Sequence, residues 1–103
     1  MAEKSNKKEP DLVKIAHFLN GYLGKELLMG FVTPKHLHKE YDDMTPEERD
    51  ELFEFYFHVI FRDSANEIAD HLKRQLSIVE LNLIKRRVLD FLKSLGMNYK
   101  NSN

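Results

Sequence analysis

The sequence predicts an all-α fold, a compact single-domain array of about five helices around a central aromatic-rich helix. Three observations carry this reading. Helix-start signals of the form S/T-x-x-E stand at Thr45/Glu48, Ser64/Glu67 and Ser77/Glu80. Apolar residues between them recur at helical spacing. Strand-like alternation is missing even from the most strand-like stretch, LFEFYFHVIF, where β-forming residue types appear without a period of two.

Residues 1–9 are polar and charged with nothing to bury, so they are expected to form a disordered arm before a helical domain at 10–97. Pro10 and Asp11 open the first helix, and Leu12, Ile15, Ala16 and Leu19 follow at helical spacing. Gly21 and Gly24 weaken its later turns, because glycine costs about 1 kcal/mol against alanine inside a helix. The helix either ends near Asn20 or bends and runs on; the favoured run continues to about residue 29, with Gly30 as its cap. Thr33-Pro34 starts a short helix over 34–41 that places Leu37 and Tyr41 on its inner side.

The central segment is TPEERDELFEFYFHVIFR, residues 45–62. Thr45 supplies a hydroxyl cap, Pro46 a preset first turn, and Glu47, Glu48, Asp50 and Glu51 favour the positive end of the helix dipole. Leu52, Phe53, Phe55, Tyr56, Val59 and Ile60 make one broad apolar face, widened by Phe57 and Phe61. A helix so apolar must be wrapped by others or lie at an interface. The Ser64/Glu67 signal predicts a new helix at 65–75, with one continuous helix through Ser64 as the alternative, and Ser77/Glu80 predicts another at 78–95. The last has a regular row, Leu81, Ile84, Val88, Phe91 and Leu95, and ends at Gly96. Residues 98–103 are expected to fray.

Composition narrows function by exclusion. The chain has no cysteine, which removes disulfides, thiolate metal sites and cysteine nucleophiles. Its N-terminus lacks the apolar run of a signal peptide. The longest uncharged apolar run, 55–61, is far short of a membrane span. These features predict a cytoplasmic protein with no membrane contact. Phosphate-binding loops, dinucleotide fingerprints, metalloprotease motifs and nucleophile elbows are absent. His36 with Glu40 and Asp42 or Asp43, and the pairs Glu54/His58 and Glu67/His71, have residue types that can hold a divalent cation. Ordinary surface and helix-stabilising roles explain them better, and the sequence assigns no catalytic residue, cofactor or metal site.

Two leads remain. The aromatics Phe53, Phe55, Tyr56, Phe57 and Phe61 exceed what one neighbour can cover, and Val79 and Leu83 lie opposite the main row of the last helix. Phe57, Phe61, Val79 and Leu83 are therefore candidates for a protein-binding surface, with a protein partner or a second copy of the chain (a homodimer) as its occupant. The expected function is a non-enzymatic regulatory module acting through protein–protein contacts.

The second lead is charge. Residues 40–70 hold eleven acids against Arg49 and Arg62, whereas 71–93 hold six bases against Glu80 and Asp90. Within 64–96, the segments Asn66-Glu67-Ile68-Ala69-Asp70-His71-Leu72, Ser77-Ile78-Val79 and Ile84-Lys85-Arg86-Arg87-Val88 resemble the helix-turn-helix of bacterial regulators and winged helices. Lys73 stands where that motif usually has a turn glycine. The resemblance implies a nucleic-acid-binding transcriptional regulator using helices 65–75 and 78–95, with Lys73, Arg74, Lys85, Arg86 and Arg87 as its contacts.

Overall fold

The computed structural model describes residues 11–24, 27 and 30–97. The proposed N-terminal arm and C-terminal fray lie outside these residues. Those described form three α-helices and two short 3-10 turns, with no strand. We label the helices α1 (Leu12–Tyr22), α2 (Pro46–Leu72) and α3 (Ile78–Ser94). The all-α class is as predicted, whereas the described residues hold three α-helices where about five were expected. Three differences account for this.

The first concerns α1. It stops at Tyr22 because Leu23 turns to extended backbone, although the Leu23 N–H still donates to the Leu19 carbonyl at 2.9 Å. The stop falls between Gly21 and Gly24, where propensity is lowest. Most of the predicted continuation to residue 29, namely Lys25, Glu26, Leu28 and Met29, lies outside the described residues.

The second concerns 34–41. No α-helix forms there; the chain makes 3-10 turns at Lys35–Leu37 and Tyr41–Asp43 and lies as a strap over the first half of α2. Leu37 and Met44 are buried beneath it. Lys39 Nζ donates to Glu48, and Arg49 donates to the Tyr41 and Asp42 carbonyls while stacking over the Tyr41 ring.

The third concerns Ser64, which starts no helix. Residues 46–72 form one 27-residue helix, with Ser64 wholly buried in its interior. Ser64 lies one turn after Ile60 and one turn before Ile68, both of which are buried. Continuing the helix keeps this row in the core, and that burial outweighs a local cap. The capping boxes at Thr45/Glu48 and Ser77/Glu80 do form, each with both reciprocal hydrogen bonds.

The helices pack as a bundle. The Asp11 N–H reaches Glu80 at the start of α3, and Arg87 reaches Asn20 near the end of α1, so α1 and α3 run parallel. α2 runs against both. Its residues Ile68, His71 and Leu72 line a crevice with Lys14, Ile15 and Phe18 of α1, while Tyr22 lies by Asp63 and Glu67. Phe53 and Phe57 of α2 share a groove with Lys85 and Leu89 of α3. The core between the helices contains Ile15, Leu19, Leu52, Phe53, Ile60, Ile68, Ile84, Val88 and Leu92. On α3 the row Glu80, Ile84, Val88, Leu92 is fully buried, a stripe at i+4 spacing.

The ends of α2 and α3 are closed differently. Lys73 ends α2 in the left-handed conformation, φ 59°, where a glycine is usual, and the Arg74 N–H then reaches the Ala69 carbonyl at 3.2 Å. After α3, Gly96 takes φ 90°. The Gly96 and Met97 N–H groups donate to Lys93 and Leu92, and Met97 is buried. This pair of bonds is a Schellman closure, which needs the left-handed residue that glycine supplies without strain.

Candidate functional site

The candidate site is the outer seam between α2 and α3. Leu52, Phe53 and Ile60 turn the centre of the α2 face inward. Phe57 and Phe61, on its edge, are half-buried against the core and stack on each other with ring centroids 5.7 Å apart. Where α3 passes, Phe53, Phe57 and Leu89 line an apolar groove of about 350 Å³, and Glu54, His58 and Lys85 stand around it. Ile78 precedes Lys85 by seven residues, two helical turns, so it extends the same stripe of α3; its side chain is 74% exposed. The seam therefore presents an apolar strip with an acid on the α2 side and a base on the α3 side.

The four residues proposed for protein binding divide between two seams. Phe57 and Phe61 belong to the strip just described. Leu83 lies one turn before Arg87, which contacts Asn20 of α1 at 3.4 Å, and Val79 lies one turn earlier still. Both therefore belong to the α1 side of α3. Val79 is 52% exposed, and Val13 at the start of α1 is also exposed. None of the α2 aromatics is fully exposed: Phe53 is buried, and Phe55, Tyr56, Phe57 and Phe61 are half-buried. The strap contributes to that cover, with Phe31 against Tyr56 at a centroid distance of 6.4 Å.

The basic residues divide as well. Arg74 is engaged within the fold, its side chain 34% exposed. Its guanidinium donates to both carboxylate oxygens of Glu80, at 2.9 and 2.6 Å, and to Asp11 Oδ2 at 2.8 Å. Glu80 is completely buried and also accepts from the Asp11 and Ser77 backbone N–H groups. The Arg74 guanidinium, followed by those two backbone donors, holds the Glu80 carboxyl at about 2, although burial opposes the shift. Lys85 and Arg86 are exposed on α3, Lys73 is exposed at the α2 cap, and Arg87 leans toward Asn20.

A second, wider groove of about 750 Å³ is lined by Tyr22, Asp63, Asn66, Glu67, Asp70, Lys73 and Arg74. Burial, then the charges of Asp63 and Glu67, raise the Tyr22 phenol above its usual range. The His36 imidazole is taken up by Glu51 at 2.8 Å, tying the strap to α2, rather than by Glu40. Among the described residues no three His, Asp or Glu side chains converge to hold a metal ion, and no helix is long and apolar enough to cross a membrane.

Leu89 and Ile78 complete the strip, and their order in the sequence does not mark them. Leu89 falls beside the regular row Ile84, Val88, Phe91, Leu95, and only the position of α2 distinguishes that side of α3 from the other. Comparison of the chain with protein-family models, with curated proteins and with solved structures gives no match.

Proposed function

We propose that the protein is a small non-enzymatic helical module, located in the cytoplasm, that regulates or assembles other chains through protein–protein contacts. The observation that carries this reading is the apolar strip of Phe53, Phe57 and Leu89 with Glu54, His58 and Lys85 at its rim. An apolar floor within a charged border excludes water at its centre and sets register at its edge. The test is capture from cell extract with the wild-type chain and with Leu89→Asp, a substitution at a half-buried surface position. A protein retained by the first and lost by the second, with helical content unchanged, is the expected result. Retention of the same proteins by both chains would remove the strip from this role.

The helix-turn-helix reading has one observation in its favour, the adjacent exposed cations Lys85 and Arg86. Arg74, engaged by Glu80 and Asp11, does not add to it. Nor does the packing: Phe57 lies fifteen residues, about 22 Å, before the end of α2, yet shares a groove with Lys85 and Leu89. α3 thus folds back along α2 rather than crossing it near the turn. Fluorescence anisotropy of mixed-sequence duplex DNA, read at low and moderate salt with Lys85→Glu/Arg86→Glu, decides this alternative. Binding that falls steeply with salt and disappears in the double variant would favour it.

A further inference from the structure

We infer that the occupant of the α2/α3 strip is an acidic amphipathic helix of another protein, with apolar anchors on one face and Asp or Glu beside them. This rests on the protein-docking reading above and specifies the chemistry of the partner.

The charges of α2 and α3 are sorted by side. Beyond His58, toward the α2–α3 turn, α2 has three acids, Asp63, Glu67 and Asp70. All three line the wide groove beside Tyr22 of α1, away from the strip. α3 has two acids, Glu80 and Asp90. Glu80 is buried against Arg74, and Asp90 lines a crevice with Leu19, Asn20 and Leu23 of α1. Glu54, one turn before His58, already has a partner within the fold. The cations are distributed the other way. Lys85 lines the groove and Arg86 follows it; both are exposed and, among the described residues, neither has an ion pair. Arg62, one turn after His58, adds a cation on the outer side of α2, where its contact with Asp63 at 3.6 Å is exposed. Over the half nearer the turn, the strip therefore has an apolar floor with cationic margins on both helices. Carboxylates beside an apolar face complement that pattern.

Shape selects a helix as the ligand. The groove lies between two helices whose backbone groups bond internally, so it offers no row of N–H and C=O groups to an extended chain. A ligand seated there must satisfy its own backbone, which a helix does. The strip from Ile78 to Leu89 is about 17 Å long, room for roughly eleven residues or three helical turns. Anchors at i, i+3 or i+4, and i+7 run along Leu89, Phe57 and the exposed Ile78, and the residues flanking them reach Lys85, Arg86 and Arg62. A phosphate backbone could use the same cations but would leave the apolar floor uncovered.

The probe is a displayed library of helical peptides of about 14 residues, four turns, selected against the full chain. The wild type should enrich peptides with apolar residues at those spacings and an excess of Asp and Glu. In fluorescence anisotropy, the most enriched peptide should bind more weakly as salt rises, and about tenfold more weakly to Lys85→Glu/Arg86→Glu. Selection against that double variant, whose two sites are exposed, should turn the preference toward Lys and Arg. Leu89→Asp, checked for helical content, should retain none of the wild-type peptides. Neutral or basic peptides enriched by the wild type, or the same acidic peptides selected by the charge-reversed variant, would overturn the inference. If Leu89→Asp still abolishes their capture, the docking strip stands with a partner of other chemistry. Peptides held equally by the wild type and Leu89→Asp remove the strip itself, as does a selection that enriches nothing over bare support. A wild type that sediments above its 12.2 kDa monomer mass and returns to it in Leu89→Asp puts a second copy on the strip and overturns the acidic partner.

Discussion

The starts of α2 and α3 carry the same local motif and meet different fates. At Thr45/Glu48 the box sits on the surface, with the Glu48 carboxylate shared between the Thr45 N–H and Lys39. At Ser77/Glu80 the same box is partly buried and its Glu80 side chain is wholly covered, where the glutamate also receives Arg74 from the α2–α3 turn and the N–H of Asp11 from the start of α1. One cap closes a helix, while the other joins three segments of chain. Glu48 is held below its usual range chiefly by the Thr45 N–H and then by Lys39, whereas Glu80 is held at about 2 chiefly by Arg74. The difference shows that a capping residue acquires tertiary weight when burial removes water as an alternative partner.

The largest expected effect that sharpens this contrast is Glu80→Ala. It leaves Arg74 with only Asp11 and the Gln75 carbonyl and two backbone donors unpaired, and should lower unfolding free energy by about 3–5 kcal/mol. The corresponding Glu48→Ala should move the urea midpoint far less. Equal effects at the two sites would break the comparison.

Acid should reveal the same asymmetry. The folded-state value of Glu80 is depressed, so its contribution is complete above about 4.5 and is lost as pH falls toward about 2. Wild-type stability should lose about 3 kcal/mol from this group over that window. Glu80→Gln, starting from a lower value, should lack that component when urea unfolding is repeated at each pH.

The hydroxyl caps should differ less. Thr45→Ala and Ser77→Ala each remove one bond to a helix N–H and should cost about 1 kcal/mol. Ser77→Ala should fall toward 2 because its box is partly buried, and chemical denaturation resolves that difference.

The smallest effect concerns the third box. Ser64 Oγ is buried without a hydrogen-bond partner. Ser64→Ala should leave stability unchanged or raise it by roughly 0.5 kcal/mol, removing an unpaired hydroxyl and improving helix propensity. A loss above about 1 kcal/mol in thermal unfolding would mean that Ser64 acts as a cap after all.

These sites also show how far the sequence can be read. Two of three S/T-x-x-E signals work as written, because Thr45 and Ser77 are themselves extended and no helix reaches them from upstream. At Ser64 the same letters are overridden, since Ile60 and Ile68 on either side are both core. The 34–41 helix fails for the opposite reason. The segment is too short to gain from helical bonds, and its side chains are better placed against α2 through Leu37, His36 and Lys39.

The candidate surface was legible in part. Phe57 and Phe61 were identifiable as aromatics beyond the centre of the α2 face. Their separation from Val79 and Leu83 was not, because helical periodicity places residues around one axis and says nothing about which neighbour lies on each side. Arg74 likewise reads as one base in a basic segment until Asp11, sixty-three positions away, is brought to it.

By itself the sequence determined the all-helical class, the start of α2 and α3, the glycine closure after α3 and part of the rows that become core, Leu52, Phe53 and Ile60 on α2 and Ile84 and Val88 on α3. These follow from local hydrogen-bond partners and from the 3.6-residue period, both properties of neighbouring residues. Tertiary structure alone decided that 46–72 is one helix, that Glu80 joins three segments, and that the strip lies between α2 and α3. Each depends on which distant groups displace water from a given side chain, and that is settled when the helices pack.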